Sequence, residues 1–170
     1  MPLVALVQAL SLALFAVLLV AAAVQDLRTM RIANGIPISI AAAFVVFATA
    51  GLVSGRIPVW SVGMAMAGGA LVLAGGVAAF ATGALGGGDV KLLAASSLFA
   101  GVDRLFDFLA ITALVGGALA IAVLAGAPIG QPAGVVGRAT LRARLQGRLP
   151  YGPAIAVSGL WVAAASVGLT

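Results

Sequence analysis

A series of long apolar runs, separated by short polar connections, limits what this chain can fold into. The first run, Leu3 to Val24, has no charged side chain and is longer than the roughly 20 helical residues that cross a hydrocarbon core of about 30 Å. With 64% hydrophobic and 8% charged residues, a water-soluble domain could not bury this much apolar surface. Because unpaired backbone groups are not tolerated in lipid, each run should be a helix, and the predicted spans are 3–24, 36–53, 57–82, 90–102, 107–127 and 152–169.

The orientation of these spans follows from the basic residues between them. The fourth run is short for a span, and a re-entrant hairpin is the alternative. If all six runs cross, most basic residues share one face, as is typical of the cytoplasmic side: Arg28, Arg31, Lys91, Arg138, Arg142, Arg144 and Arg148. A hairpin would move the last four to the opposite face. We therefore predict an all-α integral membrane protein, a single domain over residues 1–170, with about six transmembrane helices and both termini outside.

Few residues in this chain could carry out chemistry. It contains no Cys and no His, which excludes a cysteine nucleophile, thiolate metal sites and the most common general base. The net charge of +5 comes from basic residues scattered through apolar sequence, so membrane orientation explains it better than nucleic-acid binding. The stretch GGGDVK does not match the phosphate-binding GxxxxGK pattern followed by Ser or Thr. We predict no nucleic-acid partner, no metal and no cofactor.

The chain has four carboxylates, all of them Asp. Asp103 and Asp107 lie between the fourth and fifth runs, close to Arg104, and are expected in a solvated outer loop. Asp26 follows the first run and Asp89 precedes the fourth, so both lie at the same face whichever way the bundle is oriented, and the basic residues make that face the cytoplasmic one. Carboxylates at membrane depth usually line a functional cavity, and two neighbouring carboxylates that share one proton can act as acid and base.

Each of these two aspartates also has a purely structural interpretation. Asp26 could pair with Arg28 or Arg31 at the membrane surface. Asp89 could be the N-cap residue of the fourth helix, although a cap does not require the three glycines that precede it. Glycines would let an extended peptide pass close to the main chain.

Three stretches of the chain resemble a known family. Gly86, Gly88 and Asp89 form a GxGD pattern within GGGDVKLLAA, which resembles the signature of prepilin peptidases of the GxGD aspartyl protease type. QDLRTMRIANGI at 25–36 is similar to the segment around that family's first catalytic aspartate, and LPYGPAIA at 149–156 resembles the entry to its last helix. The resemblance extends over essentially the whole chain.

The resemblance implies a function and a set of site residues. Asp26 and Asp89 would be the catalytic pair, with support from Gly86, Gly87, Gly88, Lys91, Tyr151 and Gly152. Lys91 and Tyr151 could equally be membrane anchors. The implied substrate is a prepilin or pseudopilin with a short basic leader, cut at the cytoplasmic face of the bacterial inner membrane.

The compact layout resembles the short peptidases of tight-adherence (Tad/Flp) pilus systems. Larger family members carry an additional N-terminal region with cysteine pairs and a methylating activity, so no N-methyltransferase activity is expected here. The resemblance does not address the oligomeric state.

Residues 134–149 place Arg138 four residues before Arg142 and Arg144 four before Arg148, with leucines between them. This pattern predicts a basic amphipathic helix on anionic membrane lipid, or a contact for an acidic part of a substrate or partner. Two other functions stay open at this point. One is a small ion- or proton-coupled transporter subunit that uses Asp26 and Asp89 as a cation site, and the other is a non-catalytic pilus assembly protein.

Overall fold

The computed structural model describes residues 2–125, 127 and 149–167. These residues form six helices and no strand, so the prediction of an all-helical protein is confirmed. The helices are α1 Pro2–Thr29, α2 Gly35–Val53, α3 Val59–Ala81, α4 Gly87–Ala100, α5 Leu105–Leu124 and α6 Gly152–Val167. The predicted basic amphipathic helix falls almost entirely outside the described residues.

Four of these helices are long and apolar enough to cross a membrane, and α6 is a shorter apolar helix. The four are α1, α2, α3 and α5. The chain is therefore a multi-pass membrane protein, and its helical architecture agrees with the apolar runs read from the sequence.

The helix boundaries differ from the predicted spans by up to five residues, and the differences at α1 and α4 concern the two aspartates. Helix α1 continues five residues beyond Val24, to Thr29, because Gln, Leu and Arg are good helix formers even where the apolar run has ended. Asp26 thus lies within α1 rather than after it. Helix α4 begins at Gly87, inside the glycine stretch, and ends at Ala100, where Gly101 has φ 59°, a backbone angle that residues with a Cβ avoid.

Helix α4 is the central helix of the bundle. It is a single helix of 14 residues, about 21 Å long at 1.5 Å per residue, and is not a hairpin. It packs against α2, α3, α5 and α6, and most of its side chains are buried, including those of Ser96 and Ser97. Because other helices surround it, this short and partly polar helix can occupy the interior of a membrane protein.

The core beside α4 is aromatic at one end. The Phe99 ring stacks on Phe15 of α1, with centroids 4.2 Å apart, and meets the Phe44 ring of α2 edge-on at 5.5 Å. Both arrangements suit the charge distribution of aromatic rings. They fix the position of α4 between α1 and α2.

Small residues of α3 allow α4 to approach closely, as the glycine-rich stretch at 63–76 predicts. A Cβ at Gly69 would lie 2.6 Å from Leu98, and one at Gly76 would lie 2.7 Å from Val90. The helix continues without a break through Gly75 and Gly76. Gly69 and Gly76 therefore serve packing, and α3 holds α4 in place from one side.

Candidate active site

Helices α1 and α4 bring Asp26 and Asp89 into one cavity. Asp26 lies near the end of α1 and is 4% exposed, and Asp89 is the third residue of α4 and is 8% exposed. Both line one cavity of about 790 Å³. The two carboxylates that the sequence placed on one membrane face are thus neighbours in the fold.

The Asp26 carboxylate is held by the start of α6. The backbone N–H of Gly152 donates a hydrogen bond of 2.8 Å to its Oδ2. Gly152 is the first residue of α6, where a backbone N–H has no partner within its own helix and where the helix dipole favours negative charge. Neither Arg28 nor Arg31 forms an ion pair with Asp26 among the described residues.

The Asp89 carboxylate lies at the start of its own helix. Gly86 is the N-cap residue of α4, and Oδ2 of Asp89 lies against it, in the place of the acidic third residue of a capping box. Asp89 is therefore not the N-cap residue itself, as the structural interpretation of this position supposed. Its Oδ1 is buried and has no hydrogen-bond partner within the described chain, so this oxygen is free to take part in an interaction.

The glycines before Asp89 make room for groups of the protein itself. A Cβ at Gly86 would lie 2.6 Å from Oδ2 of Asp89, and a Cβ at Gly88 would lie 3.1 Å from the Cβ of Ile32. At Gly87 a Cβ would have ordinary contact, at 3.5 Å, with the Phe80 ring. Gly86 thus accommodates the carboxylate, and Gly88 accommodates the segment that follows α1.

That segment, residues 30–34, folds back over the start of α4. Met30 ends α1 with φ 53°, a left-handed conformation that is uncommon outside glycine. The side-chain Oε1 of Gln25 accepts a hydrogen bond of 3.0 Å from the N–H of Ala33. Ile32 then packs on Gly88, so QDLRTMRIANGI supplies one carboxylate and also covers the helix that carries the other.

Several residues of this cavity were not singled out from the sequence. Arg31, suggested from the sequence only as an ion-pair partner of Asp26, is the basic residue among its lining groups. The larger apolar ones come from the end of α3 and from the connections before α2, α4 and α6: Met30, Ile32, Phe80, Leu85 and Leu149. Isolated apolar residues in an apolar sequence give no signal of their own. The only signal that could have indicated these lining residues is their position within or next to the three stretches that resemble the family.

The remaining predicted site residues lie in two different places. Tyr151 lines the cavity, and its ring packs against Gly116 of α5, where a Cβ would lie 2.9 Å from Cε1. Lys91 lies outside this cavity: its Nζ donates a hydrogen bond of 2.9 Å to Oδ1 of Asn34, the N-cap residue of α2. The structure thus joins Tyr151 and Gly152 to the two aspartates and places Lys91 on another side of α4.

The carboxylates of Asp26 and Asp89 are the kind of groups that can form an acid–base pair. Two carboxylates in a shared desolvated site do not ionise independently, so one proton is shared between them. A pair in this state can remove a proton from water and donate one to a substrate. The described residues contain no group of three His, Cys, Asp or Glu side chains that could hold a metal ion.

Comparison with protein families identifies the chain. The model of the type IV leader peptidase family matches residues 13–121, which include both aspartates, the three glycines and Lys91. This chain belongs to the type IV leader peptidase family. No curated protein and no solved structure matched the chain significantly.

Membership of the leader peptidase family establishes a peptidase whose substrates are prepilins. The matched segment ends before Leu149, so it does not include the contact between Gly152 and Asp26. That part of the site rests on the geometry of α6 alone.

Proposed function

We propose that this leader peptidase is an aspartic endopeptidase, with Asp26 and Asp89 as its catalytic residues. The observation that carries the proposal is that two buried carboxylates from α1 and α4 line one cavity. Asp26 is oriented by the backbone N–H of Gly152 at the start of α6, and the Asp89 carboxylate lies against Gly86 at the start of α4. Such orientation is what acid–base catalysis requires, because the catalytic atoms must be held in place before the substrate arrives.

The reaction begins with a water molecule between the two carboxyl groups. The ionised carboxylate removes a proton from water while the water oxygen forms a bond to the peptide carbonyl carbon, and the protonated carboxyl donates its proton to the carbonyl oxygen. The resulting tetrahedral intermediate breaks its C–N bond as a proton passes to the leaving nitrogen. The carboxyl that took the proton from water donates it to this nitrogen, and the other carboxylate takes a proton from one hydroxyl of the intermediate. The two carboxyls then again share one proton. The two roles belong to the pair rather than to a fixed residue.

The cavity also suggests how a peptide lies in the site. Gly87 and Phe80 are in ordinary contact and both line the cavity, and we propose that a substrate backbone passes beside the glycine stretch there. Tyr151 and Leu149 on the opposite connection complete the lining. Lys91 contacts Asn34 rather than this cavity, and we propose that it has a structural or lipid-binding role instead of a chemical one.

The proposed substrates are Tad/Flp-type prepilins or pseudopilins with a short basic leader, cut at the cytoplasmic face of the bacterial inner membrane. Support for prepilin substrates comes from membership of the leader peptidase family. The cavity also contains two carboxylates, which attract a basic leader. We further propose a peptidase without methylating activity, since the resemblance links that activity to cysteine pairs and the sequence has no Cys.

We propose that all six helices cross the bilayer and that both termini lie outside, with residues 1–170 forming one domain. The distribution of basic residues supports this orientation. A reporter that is active only in the cytoplasm, fused after Thr170, should be inactive, and the same reporter inserted after Arg142 should be active. Activity at Thr170 would contradict the six-span arrangement.

The function is tested by co-expressing the protein with a panel of prepilins and following the precursor on a gel. A Tad/Flp-type prepilin should be converted to a shorter form whose new N-terminus follows the basic leader. The product N-terminus, read by mass spectrometry, should carry no methyl group. A precursor that stays intact across the whole panel would argue against the proposal, whereas a methylated product would contradict only its last part.

A further inference from the structure

A second cavity lies on another side of α4, away from the two aspartates. It has a volume of about 500 Å³, within the range of ligand sites. Ala94 and Ala95 of α4 form its floor, while α2 and α3, which both pack on α4, form its walls. We call this cavity the α2–α3 groove.

The groove has one polar end. Lys91 lies there, two residues after Asp89 and therefore about 200° around the helix from it, together with Asn34 at the start of α2. The only interaction of Lys91 in the described chain is its hydrogen bond to Asn34. Asn34 is neutral, so the ammonium charge has no acidic partner there.

The rest of the groove is apolar and opens toward the lipid. Its other lining residues are Pro37, Ile38, Ala41, Gly69, Ala70, Leu73 and Leu98. Ile38 on the α2 wall is 67% exposed, and α2 and α3 are both candidate membrane spans. The small residues on the floor and walls therefore leave a channel along α4 that an apolar chain can enter from the bilayer.

We propose that the α2–α3 groove binds an anionic phospholipid, with its phosphate paired to Lys91 and an acyl chain along the floor formed by Ala94 and Ala95. The exposed ammonium of Lys91 can pair with an acid at the membrane surface, and a lipid phosphate lies at that depth. A second copy of this chain would not supply one, because Asp26 and Asp89 are buried in their own cavity and Asp103 and Asp107 lie at the opposite end of α4. This inference does not depend on the peptidase chemistry.

The test measures lipid retained by the full-length protein after purification in detergent. Dioleoyl phosphatidylglycerol or dioleoyl phosphatidylcholine is added, and bound lipid is counted by native mass spectrometry, with thermal stability measured in parallel. Wild-type protein should prefer phosphatidylglycerol by about 5-fold, the effect of one Lys at the membrane surface. Lys91→Gln should lose this preference, while Lys91→Arg and the control Arg28→Gln, at the exposed end of α1, should keep it.

A second pair of variants tests the acyl-chain part of the groove. Ala70→Leu fills the groove from an exposed position on α3 and should reduce retention of both lipids several-fold, whereas Ala118→Leu on the exposed face of α5 should not. Equal retention of the two lipids by the wild type, or a preference that survives Lys91→Gln, would overturn the proposal. The proposal would also be overturned if glycerol phosphate, which has no acyl chain, stabilised the protein as much as phosphatidylglycerol does. The same holds if the groove is covered by a second copy of the chain, which would appear as a dimer that Ala70→Leu dissociates.

Discussion

Asn in place of either Asp26 or Asp89 should reduce leader cleavage by about 10²- to 10⁴-fold, the usual contribution of a positioned acid or base. Asn is the informative substitution because its side-chain oxygen can still accept the hydrogen bond that Gly152 donates at 2.8 Å. The fold should therefore persist while the proton-transfer group is lost. Conversion of a co-expressed prepilin is measured on a gel, and the amount of peptidase in the membrane is measured by immunoblot.

The chain offers a matched control for this experiment. Asp103 and Asp107 are exposed residues in the turn between α4 and α5 and at the start of α5. Asp103→Asn and Asp107→Asn make the same chemical change away from the cavity and should leave cleavage within about 2-fold, as surface substitutions generally do. Cleavage that survives both Asp26→Asn and Asp89→Asn would show that another group performs the chemistry.

Gly152→Ala should also produce a large loss, although it removes no chemical group. A Cβ here would lie 2.7 Å from the Cβ of Asp26 and 2.9 Å from its Oδ2. Because the Asp26 Cβ is attached directly to the backbone of α1, relief of this clash must move one helix against the other. A displacement of about 1 Å can lower the rate by about 10²-fold, which initial cleavage rates at equal protein levels would reveal.

Substitutions at two further glycines distinguish a local effect on catalysis from a loss of folding. Gly117→Ala adds the same methyl group where nothing lies within 4 Å and should leave activity and thermal stability unchanged. Gly86→Ala places a Cβ 2.6 Å from Oδ2 of Asp89, a flexible carboxylate end that can rotate away without moving a helix. It should lower cleavage at nearly normal stability. Full activity in Gly152→Ala would mean that the contact with α6 does not position Asp26.

The proximity of Asp26 and Asp89 could be predicted because it follows from counting membrane crossings. Odd and even connections lie on opposite faces, so an aspartate after the first span and one before the fourth share a face without any knowledge of packing. The hydrogen bond between Asp26 and Gly152 could not be predicted in this way, since it joins residues 126 positions apart. It depends on α6 packing against α1, which no local pattern specifies.

Local features near the site were likewise predictable only in part. The glycines before Asp89 indicated a close approach, and the sequence suggested a peptide substrate as the approaching group. The structure identifies two groups of the protein itself, the carboxylate of Asp89 at Gly86 and the side chain of Ile32 at Gly88. Likewise, Lys91 follows Asp89 closely in sequence but lies on another side of α4, because residues two apart on a helix point in nearly opposite directions.

The hydrogen bond from Gly152 to Asp26 has a consequence for biogenesis. Asp26 is synthesised early, with α1, but the amide that orients it belongs to α6, which is made and inserted long after α1 to α5. Until α6 packs beside α1, the carboxylate of Asp26 lacks the contact that holds it toward Asp89. Under the proposed function, a partly inserted chain has an incomplete acid–base pair and gains peptidase activity only once α6 has packed against α1.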